Sequence, residues 1–504
     1  MSVLAAVMVP HPPIILPEIG HGEEKKIQKT TDAYRDAMQF LASFHPDTVV
    51  ITSPHTVMYR DYFHISPGRS ARGDFRQFRA PEVKLFTFYD QEFVATLSEL
   101  AKDADIPAGT LGERDPALDH GTMIPLRFFN EFADFDYHTV RIGLSGLALS
   151  KHYALGKLIQ KTADMLDRRV CLIASGDLSH KLKKDGPYGL DPAGPVYDDR
   201  IMRTMGSGNF SELFDYDDNF CSDAAECGHR SFVIMAGALC GYQVEAKQLS
   251  HEDTFGVGYG VCTYEVKKTN EGVDALKAWR SRQSAKISEQ RAKEDAYVHL
   301  ARVTVEQFIR GNGMHRATPE ELSDPAMSAS RAGVFVSIHE DGNLRGCIGT
   351  IRPAERNIAS EIIHNAISAA TRDPRFDTIR EDELDKLEYS VDVLSPTERI
   401  SSPAELDVKN YGVIVSKNGL RGLLLPNLDG VDTVEKQLRI AKQKAGIDPD
   451  DPDVELQRFR VVRHYCFTGR ETDRKISAAA ASAQAGGKLE GRPSSRSKVP
   501  VSHP

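Results

Sequence analysis

Continuous apolar segments that alternate with helical segments constrain the first half of this chain more than any other feature. Four short runs consist almost wholly of apolar and β-branched side chains: residues 2–9, 48–52, 139–144 and 170–174. Longer stretches with helical spacing separate them: residues 22–44, 93–104, 123–132 and 149–166. Strands that are apolar on both faces are typical of sheets covered by helices on both sides. The pattern predicts an α/β domain over residues 1–267, and we expect its sheet to be mixed.

The composition changes after residue 267. Lys, Arg, Glu, Ser and Ala dominate residues 268–293, which predicts a charged, partly helical linker that the single tryptophan, Trp279, docks against a domain. A second globular unit is predicted over residues 294–470, where helical spacing and further apolar runs return. Residues 471–504 are almost free of large apolar side chains, so we expect a disordered tail.

Net charge, apolar runs and cysteine usage argue against several classes of protein. The formal net charge of -9 argues against a general nucleic-acid binder, so no DNA partner is expected. No apolar run approaches the roughly 20 residues that a membrane-spanning helix needs. The apolar N-terminus lacks a basic segment and leads into a proline-rich turn, so we interpret it as a strand rather than a signal peptide. Seven cysteines without a CxxC pair predict reduced thiols in a cytoplasmic protein.

Two histidines, His11 and His55, each follow a proline just beyond the end of an apolar strand. Ligands of open α/β sheets bind beyond the carboxyl ends of the strands. One histidine in such a place more often caps a strand than binds a metal, but two in matching contexts favour a shared metal site. His120 and His180 stand in similar short motifs, so we expect all four imidazoles at one rim of the sheet.

A carboxylate would complete such a site, and Glu226 is the candidate. We predict that Ser222 begins a helix that runs to about Cys240. Asp223 with Glu226 three residues later also fits a capping box, in which both side chains bind helix N–H groups. Spacing alone favours capping over metal binding.

Five motifs occur in one order along residues 3–266: Val9-Pro10-His11-Pro12-Pro13, Ser53-Pro54-His55, Asp119-His120-Gly121-Thr122, Gly176-Asp177-Leu178-Ser179-His180 and Ala225-Glu226-Cys227-Gly228. This ordered set resembles the LigB-type class III extradiol ring-cleavage dioxygenases. The resemblance implies that His11, His55 and Glu226 bind a metal, with Fe(II) expected, and that His120 and His180 are second-sphere acid/base groups.

That ligand set suits oxygen chemistry. Two histidines and a carboxylate on one face of Fe(II) leave positions open for a catechol-type substrate and for O2. A neutral His180 would take a proton from a substrate hydroxyl and return it later, and His120 would hydrogen-bond the bound oxygen or a ring substituent. Asp119 and Asp177 either fix imidazole tautomers or serve as turn residues.

The residue after Glu226 is a cysteine, which matters for the choice between two related families. The related Memo-type proteins share this fold and have a cysteine in the third ligand region. Cys227 is therefore an alternative ligand, and a thiolate would favour a softer metal such as copper or zinc. Iron, manganese, zinc and copper all remain open on ligand type alone.

The second half carries its own motif, Leu344-Arg345-Gly346-Cys347-Ile348-Gly349-Thr350. Arg345 would lower the pKa of the Cys347 thiol and make it a nucleophile, or Cys347 is a buried, inert thiol in a tight hairpin. Two further motifs accompany it: Arg372-Asp373-Pro374-Arg375-Phe376 and Gly419-Leu420-Arg421-Gly422-Leu423-Leu424-Leu425-Pro426.

These three motifs resemble the AMMECR domain family, which implies an α+β fold over about residues 297–465. A LigB-like unit joined to an AMMECR domain resembles the A component of the AmmeMemoRadiSam system. The resemblance implies radical-SAM and Memo-type protein partners, with the AMMECR domain handling substrate or docking. We weigh two functions: an Fe(II)-dependent dioxygenase, and a catalytically silent metal-binding scaffold that recruits a radical-SAM partner. Related ring-cleavage enzymes are often multimeric, so a homo-oligomer is a further expectation.

Overall fold

A computed structural model describes residues 2–340, 343–428 and 431–465 of the chain. They belong to two compact units that divide between Arg280 and Ser281, inside the segment predicted as a linker. Residues 466–504 lie outside the described residues. They include Cys466, the end of the predicted second domain and the predicted disordered tail.

The first unit is an α/β domain built on a mixed sheet. Its strands, in chain order, are β1 (Val3–Val9), β2 (Thr48–Ser53), β3 (Phe63–His64), β4 (Ser70–Phe75), β5 (Ala80–Phe88), β6 (Ala108–Gly109), β7 (His138–Gly143), β8 (Val170–Ser175), β9 (Tyr242–Glu252) and β10 (Tyr259–Thr269). The main sheet has the order β7-β2-β8-β1-β10-β9. Strands β7, β2, β8 and β1 run parallel, whereas β10 is antiparallel to β1 and β9. The predicted mixed sheet is confirmed.

Helices cover both faces of this sheet. They are α1 (Pro17–Gly20), α2 (Gln28–Ala42), α3 (Gln91–Asp103), α4 (His120–Phe129), α5 (Leu149–Leu166), α6 (Ala193–Ser207), α7 (Asp218–Ala224) and α8 (His229–Ala238). Alternate residues of β1 enter two separate apolar cores: Ala6 and Met8 lie in the core of α5 and α8, and Ala5 and Val7 in that of α2 and α4. A strand buried on both faces must be apolar throughout, which explains the uninterrupted runs.

The predicted single helix from Ser222 to Cys240 is wrong. Asp217 caps α7, and the chain leaves helical geometry at Ala225, where φ is 52°. The break lets Gly228 lie against Gly176: a Cβ added to Gly176 would come 2.1 Å from the Gly228 Cα. No side chain larger than hydrogen fits there, so the close approach of these two backbones determines where the helix is interrupted.

Helix α9 (Ala275–Arg291) occupies much of the segment predicted as a partly helical linker. Trp279 is buried, and its Nε1–H donates to Asp215 Oδ1 at 2.8 Å. Its ring also lies 5.7 Å from that of Phe214. The tryptophan therefore docks the start of the helix on the first unit, as predicted.

The second unit is α+β, as the AMMECR resemblance implies. Its helices are α10 (Ala296–Ile309), α11 (Pro325–Ala329), α12 (Ile358–Thr371) and α13 (Val434–Ala445). Its strands are β11 (Val334–Glu340), β12 (Asn343–Gly349), β13 (Leu387–Leu394), β14 (Glu398–Ile400), β15 (Gly412–Lys417), β16 (Leu420–Leu424), β17 (Glu455–Phe459) and β18 (Val461–Tyr465). Two antiparallel sheets have the orders β12-β11-β13-β18 and β14-β17-β15-β16. Helices α10 and α12 pack on the first sheet, and α13 packs on the second.

A search of the helices among the described residues found none both long enough and apolar enough to cross a bilayer.

Candidate metal centre

The carboxyl ends of β1, β8 and β2 lie level with one another in the first unit. Val9 at the end of β1 pairs with Ser175 at the end of β8, and β8 lies between β1 and β2. His11 and His55 each follow their strand by two residues, so both turns reach the same crevice. His120 joins them as the first residue of α4.

His11, His55 and His120 form what we call the imidazole cluster. One ring nitrogen from each lies within 4.8 Å of those of the other two. The Nε2 atoms of His11 and His55 are 3.0 Å apart, and the ring centres of His55 and His120 are 4.0 Å apart. Two adjacent nitrogen ligands at about 2.1 Å from one cation are separated by about 3 Å. The His11 and His55 nitrogens therefore have the separation of two ligands on one divalent metal, with His120 beside them.

Hydrogen bonds at the other side of the ring fix the tautomer of His11. Ser175 Oγ donates its only proton to the Gly121 carbonyl at 2.6 Å. The same oxygen lies 2.9 Å from His11 Nδ1, so it must accept the Nδ1–H. The lone pair of His11 is then on Nε2, which faces the cluster. A neutral histidine held through its other nitrogen is the form that binds metals.

Burial and the neighbouring imidazoles keep His11 and His120 uncharged. Burial lowers the pKa of His11 well below its usual value, and His55 lowers it further. Burial, followed by His55 and His11, lowers the pKa of His120 to about 3. At neutral pH both rings are therefore neutral and can offer a lone pair.

Asp119 serves as a helix cap in this site. Its carboxylate accepts hydrogen bonds from the Thr122 N–H at 3.0 Å, from Ser53 Oγ at 2.6 Å and from Thr56 Oγ1 at 2.8 Å. Burial acts to raise the pKa of Asp119, but the Arg141 guanidinium and the Ser53 hydroxyl outweigh it, and that pKa falls to about 2. The ionised carboxylate ties α4, and with it His120, to the end of β2.

A second group of potential ligands shares His11 with the cluster. Cys227 Sγ lies 3.6 Å from His11 Nε2, and Asp177 Oδ2 lies 4.0 Å from the same nitrogen. Asp177 also accepts the backbone N–H of His11 at 2.8 Å, which fixes the turn after β1. Burial raises the pKa of both the Asp177 carboxyl and the Cys227 thiol. The site thus offers a thiol and a carboxyl beside its imidazoles.

His180 borders this group with a defined tautomer. Its Nδ1 lies 2.5 Å from the Ala225 carbonyl oxygen, which can only accept, so Nδ1 carries the proton. Its Nε2 therefore has the lone pair, and it lies 3.9 Å from Asp177 Oδ2. The geometry leaves His180 able to take a proton at Nε2.

Glu226 caps the start of α8. Its Oε2 accepts the backbone N–H of His229, the first residue of α8, at 2.6 Å. Within the described parts of the chain, neither group of potential metal ligands includes Glu226. The structure gives Glu226 the capping role that spacing alone favours, although its partner helix is α8 and Asp223 takes no part in that contact. Cys227 and Asp177 are the acidic groups that the structure places against His11 Nε2.

Two aromatic rings flank the site, and sequence reasoning missed both. Phe78 lies with its ring 5.2 Å from that of His120, and Tyr188 lies 5.2 Å from His180. Tyr188 is 48% exposed, so its ring is accessible at the surface. Neither residue stands in a motif. Ser175, which fixes His11, was also missed, although its place at the end of an apolar strand was a usable signal.

In the second unit, Arg345 does not activate Cys347. The Arg345 guanidinium donates to Glu383 Oε2 at 2.8 Å and to the Asp377 carbonyl at 2.7 Å. Burial raises the pKa of the Cys347 thiol, and the hydrogen bond from Ser337 only partly offsets this. Cys347 is therefore a protonated, partly buried thiol on β12 of the β11–β12 hairpin, and the expected effect of Arg345 is wrong.

Comparison with known proteins assigns the two units to families. Residues 5–262 match the model of the catalytic LigB subunit of aromatic ring-opening dioxygenases. Residues 298–464 match the AMMECR1 family.

One relative spans most of the fusion, and others match a third of it. A protein of Clostridium acetobutylicum is 39% identical over 472 residues, covering 92% of this chain and 99% of that protein. A Thermotoga maritima protein is 51% identical over 172 residues, which is 34% of this chain and 98% of that protein. Among solved structures, an uncharacterised Pyrococcus horikoshii protein matches 33% of this chain and 88% of its own at 30% identity, with a TM-score of 0.31.

Proposed function

Because the chain belongs to the family of the catalytic LigB subunit of aromatic ring-opening dioxygenases and carries an AMMECR1 domain, we propose that its first unit is an Fe(II)-dependent dioxygenase centre. The proposed reaction is the oxidative cleavage of a catechol-type aromatic ring by O2. The observation that carries this proposal is the close approach of the His11, His55 and His120 imidazoles, with 3.0 Å between the Nε2 atoms of His11 and His55.

The residues that would hold the metal are His11 and His55, with Cys227, Asp177 and His120 beside them. Fe(II) bound there would act as a Lewis acid toward the substrate oxygens and supply an open position for O2. Ser175 keeps the lone pair of His11 on Nε2 by accepting the proton on Nδ1.

His180 is the proposed base. Its Nδ1–H is held by the Ala225 carbonyl, so its Nε2 takes a proton from a substrate hydroxyl. The resulting imidazolium has Asp177 Oδ2 at 3.9 Å, and the carboxylate stabilises that charge. His120, neutral and beside His55, is placed to hydrogen-bond a substrate oxygen.

Phe78 and Tyr188 support an aromatic substrate. The ring centre of Phe78 lies 5.2 Å from that of His120, and the ring centre of Tyr188 lies 5.2 Å from that of His180. Edge-to-face contacts with a flat ring are favourable at such separations. We propose that these residues orient the substrate ring between them.

A second candidate function is favoured by one contact. The 3.6 Å between Cys227 Sγ and His11 Nε2 matches the roughly 3.5 Å expected of sulfur and nitrogen ligands on one tetrahedral zinc. A thiolate ligand would favour zinc or copper, and the first unit would then be a metal-binding scaffold without oxygenase activity. In that case the fusion recruits its radical-SAM and Memo-type partners, and the AMMECR1 domain serves in docking.

We place the protein in the cytoplasm. Six cysteines of the described chain are free thiols, as expected in a reducing compartment. A homo-oligomer remains part of the proposal, on the analogy of related ring-cleavage enzymes.

Oxygen uptake by the full chain tests the two candidates. Protein loaded anaerobically with Fe(II) is mixed with catechol in aerobic buffer, and O2 consumption is followed with an electrode. We expect uptake in the wild type, a loss of about 100-fold or more in His180→Ala with the metal content unchanged, and no loss in His138→Ala. His138 is an exposed histidine at the start of β7.

Metal retention without O2 uptake would reject the dioxygenase and favour the scaffold. The metal content of two variants then distinguishes the thiolate ligand set from the carboxylate ligand set. Loss of bound metal in Cys227→Ser but not in Glu226→Ala supports the thiolate centre. Loss in Glu226→Ala but not in Cys227→Ser supports the carboxylate set that the family resemblance implies.

A further inference from the structure

The turn after β8 that carries His180 is held by several hydrogen bonds. Its backbone pairs with the segment before β10, where the Leu178 N–H donates to the Gly258 carbonyl at 2.9 Å and the Gly258 N–H donates to the Ser179 carbonyl at 2.8 Å. Ser179 Oγ donates to the carbonyl of Ala224, the last residue of α7, at 2.8 Å. The backbone N–H of Ser179, directly before His180, takes no part in these contacts.

A buried carboxylate accepts that N–H. Asp198 of α6 is 2% exposed, and its Oδ1 accepts the Ser179 N–H at 2.8 Å. A Cβ added to Gly258 would come 1.9 Å from Asp198 Oδ2, so only glycine at that position leaves room for the carboxylate. Hydrogen bonds to ionised acceptors are shorter and stronger than those to neutral ones. Asp198 therefore fixes the peptide group between Leu178 and Ser179.

The second oxygen of Asp198 pairs with a histidine of β9. His251 Nε2 lies 2.9 Å from Asp198 Oδ2, and the His251 side chain is 27% exposed. This hydrogen bond raises the pKa of His251, whereas burial raises the pKa of Asp198 and the bond from His251 opposes that effect. A buried carboxylate without a partner is costly. His251 therefore stabilises the ionised carboxylate that holds Ser179.

This pair lies outside the metal centre but acts on the turn beside it. Among the residues that the structure describes, neither group of potential metal ligands includes Asp198 or His251. The peptide group that Asp198 holds lies between Asp177 and His180 in the sequence. The 3.9 Å between Asp177 Oδ2 and His180 Nε2 thus depends on the conformation that Asp198 fixes.

We propose that Asp198 and His251 are positioning residues for His180: they fix the turn from Asp177 to His180 and so keep His180 Nε2 in place to accept a substrate proton. This inference rests on the role of base that is proposed above for His180. A misplacement of about 1 Å can cost about 100-fold in rate. Loss of the pair should therefore slow turnover without releasing the metal or weakening substrate binding.

The kinetics of O2 uptake by the Fe(II)-loaded full chain, with catechol as substrate, test this role. In His251→Ala we expect kcat to fall about tenfold or more, with the KM for catechol and the metal content unchanged. His251→Gln restores a neutral donor to Asp198 Oδ2, so its kcat should stay within about threefold of the wild type. The control is His138→Ala, which removes an exposed histidine far along the sheet on β7.

Amide hydrogen exchange of the metal-free full chain tests the contact with the turn separately from the reaction. Mass spectrometry of peptides that span residues 176–182 follows the Ser179 N–H. We expect exchange to be about tenfold or more faster in His251→Ala, and close to the wild type in His251→Gln and His138→Ala.

His251 is partly exposed on the edge strand β9, so His251→Ala is expected to fold. If it does not, Asp198→Asn takes its place. Asparagine keeps an acceptor for the Ser179 N–H but removes its charge, so changes of about threefold in the same directions are expected.

Slower turnover together with faster Ser179 exchange in His251→Ala, both restored in His251→Gln, supports the proposal. Unchanged kcat, unchanged exchange, loss of metal, or a defect that His251→Gln does not restore overturns it. If the wild type consumes no O2, the dioxygenase function is rejected on its own. Exchange then decides whether the pair fixes the turn: faster exchange in His251→Ala supports this, and unchanged exchange overturns it.

Discussion

The motif residues of the two units do different things. In the first unit, three imidazoles lie close together, with the Cys227 thiol and the buried Asp177 carboxyl beside His11. In the second unit, the Cys347 thiol is protonated, and its backbone is hydrogen-bonded to Asp373 and Arg375. The first arrangement suits a cation, whereas the second holds the backbone of a motif in place. The presence of histidine or cysteine in a motif therefore does not by itself determine what the motif does.

The two units also differ in the structural elements that position these residues. The imidazole cluster is built at the carboxyl ends of parallel strands, where successive turns meet at one edge of the sheet. In the second unit, the backbones of β12 and β16 lie directly on helices α12 and α13, because Gly346 and Gly422 have no side chain at the contact. Strand ends direct side chains by topology, whereas these contacts depend on local packing.

Among side chains outside the imidazole cluster, we expect the largest effect from Ser175→Ala. The alanine cannot accept the Nδ1–H of His11, so the ring loses the contact that fixes its tautomer and orientation. We expect metal affinity to fall about 10- to 100-fold, as for other residues that orient a metal ligand. Competition with a chelating dye measures this.

The control is Ser98→Ala, which removes a hydroxyl that bonds only within α3, to the Val94 carbonyl. Equal metal affinity in the Ser175 and Ser98 variants would show that the tautomer of His11 is not set by this contact.

A smaller effect is expected from Lys444→Met in the second unit. Because burial lowers the pKa of Lys444 to about 8, the folded state disfavours the ammonium form that the unfolded chain prefers below pH 10.5. This cost is fully present below pH 8 and disappears as the pH rises through 10.5. Since the side chain is only partly buried, we expect Lys444→Met to raise the free energy of unfolding by about 1–2 kcal/mol at pH 7, and by little at pH 10.5.

Urea unfolding of the full chain in phosphate-free buffer, followed at both pH values, measures this gain. Lys436→Met replaces an exposed lysine of the same helix and should show no pH-dependent gain. An equal gain in the free energy of unfolding at both pH values would mean that the folded state does not disfavour the charged form of Lys444.

The fold of the first unit was largely predictable because strands buried on both faces must be apolar throughout. The placement of His11, His55 and His180 beyond strand ends followed from the same argument, since parallel strands end at one edge, whereas His120 reaches the site as the first residue of α4. The break at Ala225 was not predictable, because it depends on the contact between Gly176 and Gly228, which are distant in the sequence.

The directions of individual side chains were also not predictable from the sequence. Asp223 and Glu226 had the spacing of a capping box, but only the interruption of the helix determines that Glu226 caps α8. Likewise Arg345 is two residues from Cys347 but bonds to Glu383, which is brought near by tertiary folding. Motifs locate the residues that matter, and packing decides which of them face each other.

The most direct test of the account is Fe(II) binding by the anaerobic full chain, in the wild type, His11→Ala and His138→Ala. His11 belongs to both groups of potential ligands, whereas His138 is an exposed histidine outside them. The account predicts about one metal per chain in the wild type and in His138→Ala, and binding at least about 100-fold weaker in His11→Ala. Unchanged Fe(II) affinity in His11→Ala would contradict it.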